Sequence, residues 1–427
     1  MNRKRLYSRR DFFGFVAGSL VLPAVDLVQP HRHRTSAGPT IQSIRVVPVP
    51  GEFYRFIGMN AYDTAPKGKS GSIRVVQVTL SDGTTGIGVE GYSRIDATTR
   101  EGLQRLIGVE PLDVYRWESE RIAGFTAEHA PFFENPRFAF VEAPILDAVG
   151  KLKETPVYAL FGPAVREGVD CYDGTLYFAD IANDTDASIL GELARRIKDD
   201  GYFAIKQKVG RPGKWMKGEA GVERDIEAVA AVREAVGSNF NLMVDANDGY
   251  RDNFDGAVRF LEGCDPYELY WVEEIFPEEI GSYERLVATM RDRGITIRIA
   301  EGEGVQDFEL FRPFLEAGIY EIVQPDMRTM GLTNILRGAA LAESYGASLV
   351  PHNWQSEMGK IMSIHAAKIR PNITFAEDDR FRNFALDSSD YLFRGGSWYA
   401  PDKPGWGIEL VDGFDRLIGG AESIIIS

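Results

Sequence analysis

Six apolar segments of this 427-residue chain each run into a polar side chain, and no other feature restricts its fold as tightly. They are FAIKQK, which carries Lys206 and Lys208, LMVDAN with Asp245, YWVEE with Glu273, IRIAE with Glu301, EIVQPD with Asp326 and SLVPH with His352. From Asp245 onward the polar ends recur every 25 to 28 residues, about one strand plus one returning helix. A (β/α) barrel opens the C-terminal ends of all its strands onto one mouth, so this spacing delivers the polar residues to a single site.

From Cys171 onward eight apolar segments read as strands: 171–178, 202–208, 240–245, 269–273, 296–301, 319–324, 347–351 and 373–376. The gaps hold helical patterns such as DIEAVAAVREAVG and TNILRGAALAESYG, with apolar residues three and four apart. Eight strands alternating with helices predict an α/β protein with a parallel barrel rather than an open doubly wound sheet. No GxGxxG or GxxxxGK follows an early strand, which removes the nucleotide-binding alternative.

Ahead of the barrel the pattern changes. Residues 40–92 are rich in β-branched side chains, and SDGTTG between two such runs reads as a hairpin turn. A helical stretch follows to about residue 160. The expected organisation is a leader and linker at 1–34, an N-terminal α+β domain at 40–160, the barrel at 161–395, and a segment at 396–427 that returns to the N-terminal domain.

The formal charge is −15, yet residues 1–34 carry seven Arg or Lys and two Asp, leaving the rest near −20. So acidic a body repels phosphate backbones, which argues against nucleic acid as a partner. The start combines a basic stretch, the pair Arg9-Arg10 with Phe12-Phe13 behind it, and an apolar run too short and glycine-interrupted to span a membrane. It resembles a twin-arginine export signal, so a periplasmic protein without a membrane span in its mature form is expected. Cys171 and Cys264 lie in apolar contexts and read as buried thiols.

Asp245, Glu273 and Glu301 on successive strand ends crowd three negative charges into one mouth, which a cation must neutralise. Oxygen-only donors select a hard ion, Mg²⁺ before Mn²⁺, and leave positions for substrate oxygens. Lys206 and Lys208, two apart on a strand, point the same way. Their mutual repulsion is expected to lower one pKa enough to make a base. Asp326 and His352 on neighbouring strands form a dyad, with the aspartate fixing the tautomer of the imidazole. Glu377 ends the eighth segment and either bonds a substrate carboxylate or pairs with Arg380. Asn247, two residues past Asp245, is a candidate substrate contact. Lys208 and His352 would then approach the carbon beside a metal-bound carboxylate from opposite faces.

The ordered segments FVEAPILDAVGKLKETPVYALFGPAVR, IKQKVG, VDANDGY, WVEE, AEGEG, VQPD, LVPH and PDKPGWGIEL resemble the enolase superfamily, and within it the mandelate racemase subgroup. The resemblance implies a modified TIM barrel, (β/α)7β, with an N-terminal α+β capping domain. It also implies Mg²⁺ on Asp245, Glu273 and Glu301, with acid/base roles for Lys208 and the Asp326/His352 dyad. The loop at 51–70 becomes a lid over the mouth, with Phe53, Tyr54 and Arg55 as substrate contacts. A small carboxylate substrate and a homo-oligomer are expected. The implied reaction is abstraction of an α-proton through an enediolate, with dehydration of a sugar acid to a 2-keto-3-deoxy acid as first expectation. Racemisation or epimerisation of a 2-hydroxy acid is the alternative, and an inactive exported binding protein is the third.

Overall fold

The structure, a computed structural model, describes residues 38–90 and 93–427. The basic leader, with its export-signal reading, lies outside the described residues.

The N-terminal β-branched runs pair as the hairpin pattern predicts. Strand β1 (Ile41–Ile57) runs antiparallel to β2 (Gly68–Leu80), and β2 to β3 (Thr85–Glu90). The SDGTTG turn closes through Leu80 N–H to Thr84 O at 2.8 Å. Helix α1 (Glu142–Leu152) lies across β3 so closely that a Cβ on Gly86 would stand 1.8 Å from the Pro144 carbonyl oxygen. Only glycine permits that approach. The chain end returns here, with Ile424–Ile426 pairing antiparallel with β1, whereas Ser397–Tyr399 pairs with the first barrel strand instead. The segment after residue 396 is thus shared between the two halves.

Among the described residues the barrel strands are β4 (Gly168–Leu176), β5 (Ala204–Lys208), β6 (Asn241–Asp245), β7 (Val272–Glu273), β8 (Ile299–Glu301), β9 (Ile322–Val323), β10 (Ser348–Leu349) and β11 (Ala376–Asp378). Each pairs in parallel with the next from β4 to β10. The ring closes through a parallel bridge from Leu349 to Ile373 and the pairing of β11 with β4. The first seven strands are each followed by a helix: α2 (Ser188–Asp199), α3 (Glu219–Val236), α4 (Phe254–Cys264), α5 (Ile280–Arg293), α6 (Arg312–Glu316), α7 (Leu332–Ser344) and α8 (Glu357–Ile369). No such helix follows β11 before the chain pairs with β1 at Phe381–Asn383. This is the (β/α)7β arrangement that the resemblance implies.

Inside the barrel, Tyr172, Ala204, Met243, Trp271, Ala300, Ile322, Val350 and Phe375 form one apolar cluster, a residue from each strand or its immediate flank. This layer is the floor on which the polar mouth stands. Both cysteines are buried and unbridged, as their apolar contexts predict.

Candidate active site

Side chains alternate along a strand, so the residue two places beyond each floor residue also faces the barrel axis. These positions are Gly174, Lys206, Asp245, Glu273, Gly302, Gln324, His352 and Glu377. The polar ring that the strand-end series predicts therefore exists, but Glu301 is not in it.

Ala300 occupies the floor, so Glu301 points outward. It is buried against Tyr283 of α5, whose hydroxyl it contacts. Its place is taken by Glu303, because Gly302 with φ +122° turns the chain back over the mouth. A second break in the alternation occurs after β7. Glu274 holds φ +47° and Asn247 φ +42°, left-handed conformations that side chains other than glycine rarely adopt. Strain of this kind costs about 1–3 kcal/mol per residue and clusters at functional sites. The result is that carboxylate oxygens of Asp245, Glu274 and Glu303 lie within 4.8 Å of one another. The converging trio thus retains Asp245 of the expected set, with Glu274 and Glu303 completing it. Glu273 faces the same mouth, yet its oxygens are engaged by Lys206 Nζ at 2.8 Å and Trp271 Nε1 at 3.2 Å. An all-oxygen trio of this spacing suits a hard divalent cation.

The electrostatics agree with that fit. Burial pushes Glu274 well above the ordinary carboxylate range, and the charges of Glu303 and Asp245 add to the rise. Asp245 feels the same burial, but Lys208 and Lys206 hold it below its usual value. Lys208 rests directly on Asp245, while Lys206 lies 2.8 Å from Glu377 and 3.7 Å from Asp245. Burial lowers both lysines, yet these carboxylates carry each of them well above the ordinary lysine range. The expectation that the two ammonium groups depress one another fails because each has its own acid. Of its two expected roles Glu377 does not take the pairing with Arg380, which reaches Asp200 at 2.7 Å instead. Its other oxygen accepts from Asn353 N–H at 2.8 Å.

The Asp326/His352 dyad forms as expected. His352 Nδ1 is 2.9 Å from Asp326 Oδ2, and Asp326 Oδ1 accepts from the N–H groups of Arg328 and Thr329 at 2.9 and 3.0 Å. Burial opposes ionisation of Asp326, but Arg328 and His352 bring it down to about 2. Burial also acts to lower His352, and Glu303 together with the Asp326 hydrogen bond raises it to about 9. Its other nitrogen, Nε2, stands 3.1 Å from Glu303. The acidic trio is therefore flanked by Lys208 at Asp245 and by His352 at Glu303. Their strands, β5 and β10, lie on opposite arcs of the ring.

The lid differs from its expected extent. Residues 51–57 continue β1, and the connecting loop is 58–67, docked through a bridge from Met59 to Phe178. Phe53 is buried beneath Trp354 at 4.9 Å between ring centres. Tyr54 is 60% exposed and stacks on Arg380 at 3.7 Å, away from the mouth. Arg55 donates to Thr175 Oγ1 at 2.5 Å. The loop itself offers Tyr62, whose phenol feels Lys208 and Glu303, and Lys67, which lies 5.5 Å from the ring of Trp354. Lys214 and Trp215 hold this loop by its carbonyls, with Trp215 Nε1 donating to Asn60 O at 2.7 Å. Asn247 does face the site, donating from Nδ2 to Glu274 Oε2 at 2.9 Å and leaving its buried Oδ1 without a protein partner. His365 is buried between Tyr158 N–H and Tyr391 OH.

A closed (β/α)7β barrel with an acidic centre between a lysine and a dyad histidine defines an acid/base enzyme of the barrel class. Residues 189–413 match the family described as Enolase C-terminal domain-like, and the chain belongs to the enolase superfamily, in its mandelate racemase and muconate lactonizing enzyme group. It is 32% identical to 3,6-anhydro-alpha-L-galactonate cycloisomerase of Streptomyces coelicolor over 282 residues, 65% of this chain and 70% of the relative. It is 28% identical to L-rhamnonate dehydratase of Saccharopolyspora erythraea over 352 residues, 79% of this chain and 82% of that one. A variant of galacturonate dehydratase from Geobacillus sp., solved in complex with Mg, matches with TM-score 0.77 at 28% identity, covering 90% of this chain and 97% of that one.

Proposed function

We propose that this chain is a Mg²⁺-dependent dehydratase of a sugar acid. One observation carries the reading: Lys208 and His352 stand at opposite ends of the Asp245, Glu274 and Glu303 trio. The dehydratases among its relatives support the same choice.

Asp245, Glu274 and Glu303 would hold the ion, with Glu273 beside them. A divalent cation there would draw off the negative charge that keeps Lys208 protonated and would stabilise charge developing on the substrate carboxylate. Lys208 Nζ then takes the proton from the carbon next to the carboxylate, and the C–H electron pair becomes part of a carbon–carbon double bond. The C–O bond to the adjacent hydroxyl breaks as His352 Nε2 delivers its proton, so the group leaves as water. The remaining enol tautomerises to a 2-keto-3-deoxy acid. His352 Nδ1 is held by the Asp326 carboxylate at 2.9 Å, which favours the protonated imidazole that this step needs. Lys206 remains charged between Glu273 and Glu377 and supplies fixed positive charge below the reacting carbons.

A panel of mono- and diacid sugars with Mg²⁺, assayed for 2-keto acid and for deuterium uptake from D₂O, tests the reading. Keto acid supports elimination. Deuterium at the α-carbon without keto acid would mean racemisation, and neither across a wide panel would sink both. On any substrate found, Lys208→Ala and His352→Asn should each lose at least about a hundredfold in rate, the scale of one general acid or base. The proposal extends to location: the Arg9-Arg10 leader directs export to the periplasm. A fusion of residues 1–40 to a reporter should lose export on Arg9→Lys, Arg10→Lys substitution.

A further inference from the structure

Glu301 is a buried carboxylate that the chemistry above does not use. It is 1% exposed, and its contact is Tyr283, which is itself fully buried in the first turn of α5. The Tyr283 hydroxyl reaches further, donating to Phe276 O at 2.9 Å and lying 3.4 Å from Phe276 N. Phe276 is two residues from Glu274 and Glu301 is two residues from Glu303. One hydroxyl thus ties together the two chain segments that carry two of the three converging carboxylates.

Those segments need a tie. Glu274 is held in a left-handed conformation, and Gly302 at φ +122° is the hinge by which Glu303 turns inward. Neither is fixed by a strand ladder, because β7 ends at Glu273 and β8 at Glu301. The local hydrogen bonds are few. Glu274 N–H reaches Ala300 O at 3.4 Å, and Glu274 O accepts from Asp248 N–H at 2.7 Å. Phe276 is also packed by its ring, stacked on Phe254 at 5.7 Å and edge-on to Tyr283 at 6.0 Å.

We propose that Glu301 and Tyr283 are positioning residues for the cation site: they clamp the ends of β7 and β8 so that Glu274 and Glu303 converge, and Glu301 is not itself a ligand. The proposal rests on reading the trio as a divalent-cation site. Partners behind the ligands of a metal site typically contribute 10- to 100-fold in affinity.

The test is Mg²⁺ binding by calorimetry and Mn²⁺ binding by electron paramagnetic resonance, on the full chain, with thermal unfolding of each variant recorded. Glu303→Gln should weaken binding more than about a hundredfold, as loss of a ligand. Tyr283→Phe and Glu301→Ala should weaken it about 10- to 100-fold. Glu301→Gln keeps a side chain that can hydrogen-bond the Tyr283 hydroxyl and should bind within about threefold of wild type. Equal loss in Glu301→Gln and Glu303→Gln would make Glu301 a ligand and overturn the proposal. Wild-type affinity in Tyr283→Phe would overturn it too. Failure of the cation reading looks different: the wild type would bind neither ion, or Glu303→Gln would bind like wild type. If Glu301→Ala does not fold, the Gln and Phe variants still decide.

Discussion

Replacing Asp326 by Asn isolates what the dyad does from what it supports. Asp326 has two tasks split between its oxygens. Oδ1 caps the turn at Arg328 and Thr329, and Oδ2 faces His352 Nδ1 at 2.9 Å. Asn keeps the first task, because its amide oxygen can accept from the same two N–H groups. It reverses the second, since an NH₂ now faces Nδ1 and forces the imidazole proton onto Nε2. The doubly protonated imidazole, which delivers its proton from Nε2, is then disfavoured, and the ring loses a carboxylate that helps raise it to about 9. A hydrogen bond to a charged group is worth about 1.5–3 kcal/mol, whereas the same Asp→Asn change in a comparable Asp–His arrangement costs about 10⁴ in kcat. The expected outcome is a fall of about 10³ to 10⁴ in kcat/KM for keto-acid formation. The unfolding midpoint should move far less than that loss implies. The sign of the pH effect also follows. A general acid is active below its pKa, so activity falls as pH rises through it, and the variant's alkaline limb should lie at lower pH. A variant within tenfold of wild-type kcat/KM, with an unshifted alkaline limb, would refute the assignment of His352 as the dyad's acid.

Two further expectations concern stability. Burial holds His365 down to about 3 against an ordinary 6.5, so the unfolded chain takes up the proton first. Its contribution is complete above about pH 6.5 and is lost as pH falls toward 3, by about 1.4 kcal/mol per pH unit. Urea unfolding of wild type and His365→Gln should therefore show a stability gap that narrows by about 2 kcal/mol between pH 6.5 and 5. A gap constant with pH would contradict it. Gly86→Ala should destabilise by about 1–3 kcal/mol or more, because its Cβ would meet the Pro144 carbonyl oxygen at 1.8 Å and α1 would have to move off β3. An unchanged urea midpoint would show that the packing is looser than described.

Much of the architecture was legible because it repeats. A strand must be apolar to line a barrel and a helix must be amphipathic to cover it, so the alternation is written once per unit. Each of the eight segments read as strands contains or borders an observed barrel strand or its closing bridge, though the observed strands are often shorter. The dyad was legible for a related reason, since Asp326 and His352 follow strands that are adjacent in the chain order and in the ring. The third acid was not legible. In IRIAEGEG both Ile299 and Ala300 are apolar, so composition does not say which faces the axis; one step of alternation decides whether Glu301 does, and Glu303 enters only because Gly302 breaks the alternation. Glu274 was hidden more deeply, because a left-handed glutamate carries no mark in sequence. Gly302 was the one visible clue.

The lysine strand shows the same division in its energetics. The KxK spacing dictated that Lys206 and Lys208 share a face, but which charge dominates each ammonium depends on atoms brought from β6, β7 and β11. The tract from residue 51 behaved likewise, since pairing with Phe381–Asn383 and the bond from Tyr54 N–H to Arg380 O at 3.0 Å kept its first part in a strand, with Tyr54 stacked on Arg380.

What the amino-acid sequence determined by itself was the barrel, its cap and the kinds of group at its mouth, because periodicity and residue chemistry are local properties. What only the tertiary structure decided was which carboxylates converge and which lid side chains face them. Those choices hang on backbone turns beyond the strand ends, where no ladder imposes alternation and the neighbours come from elsewhere in the chain.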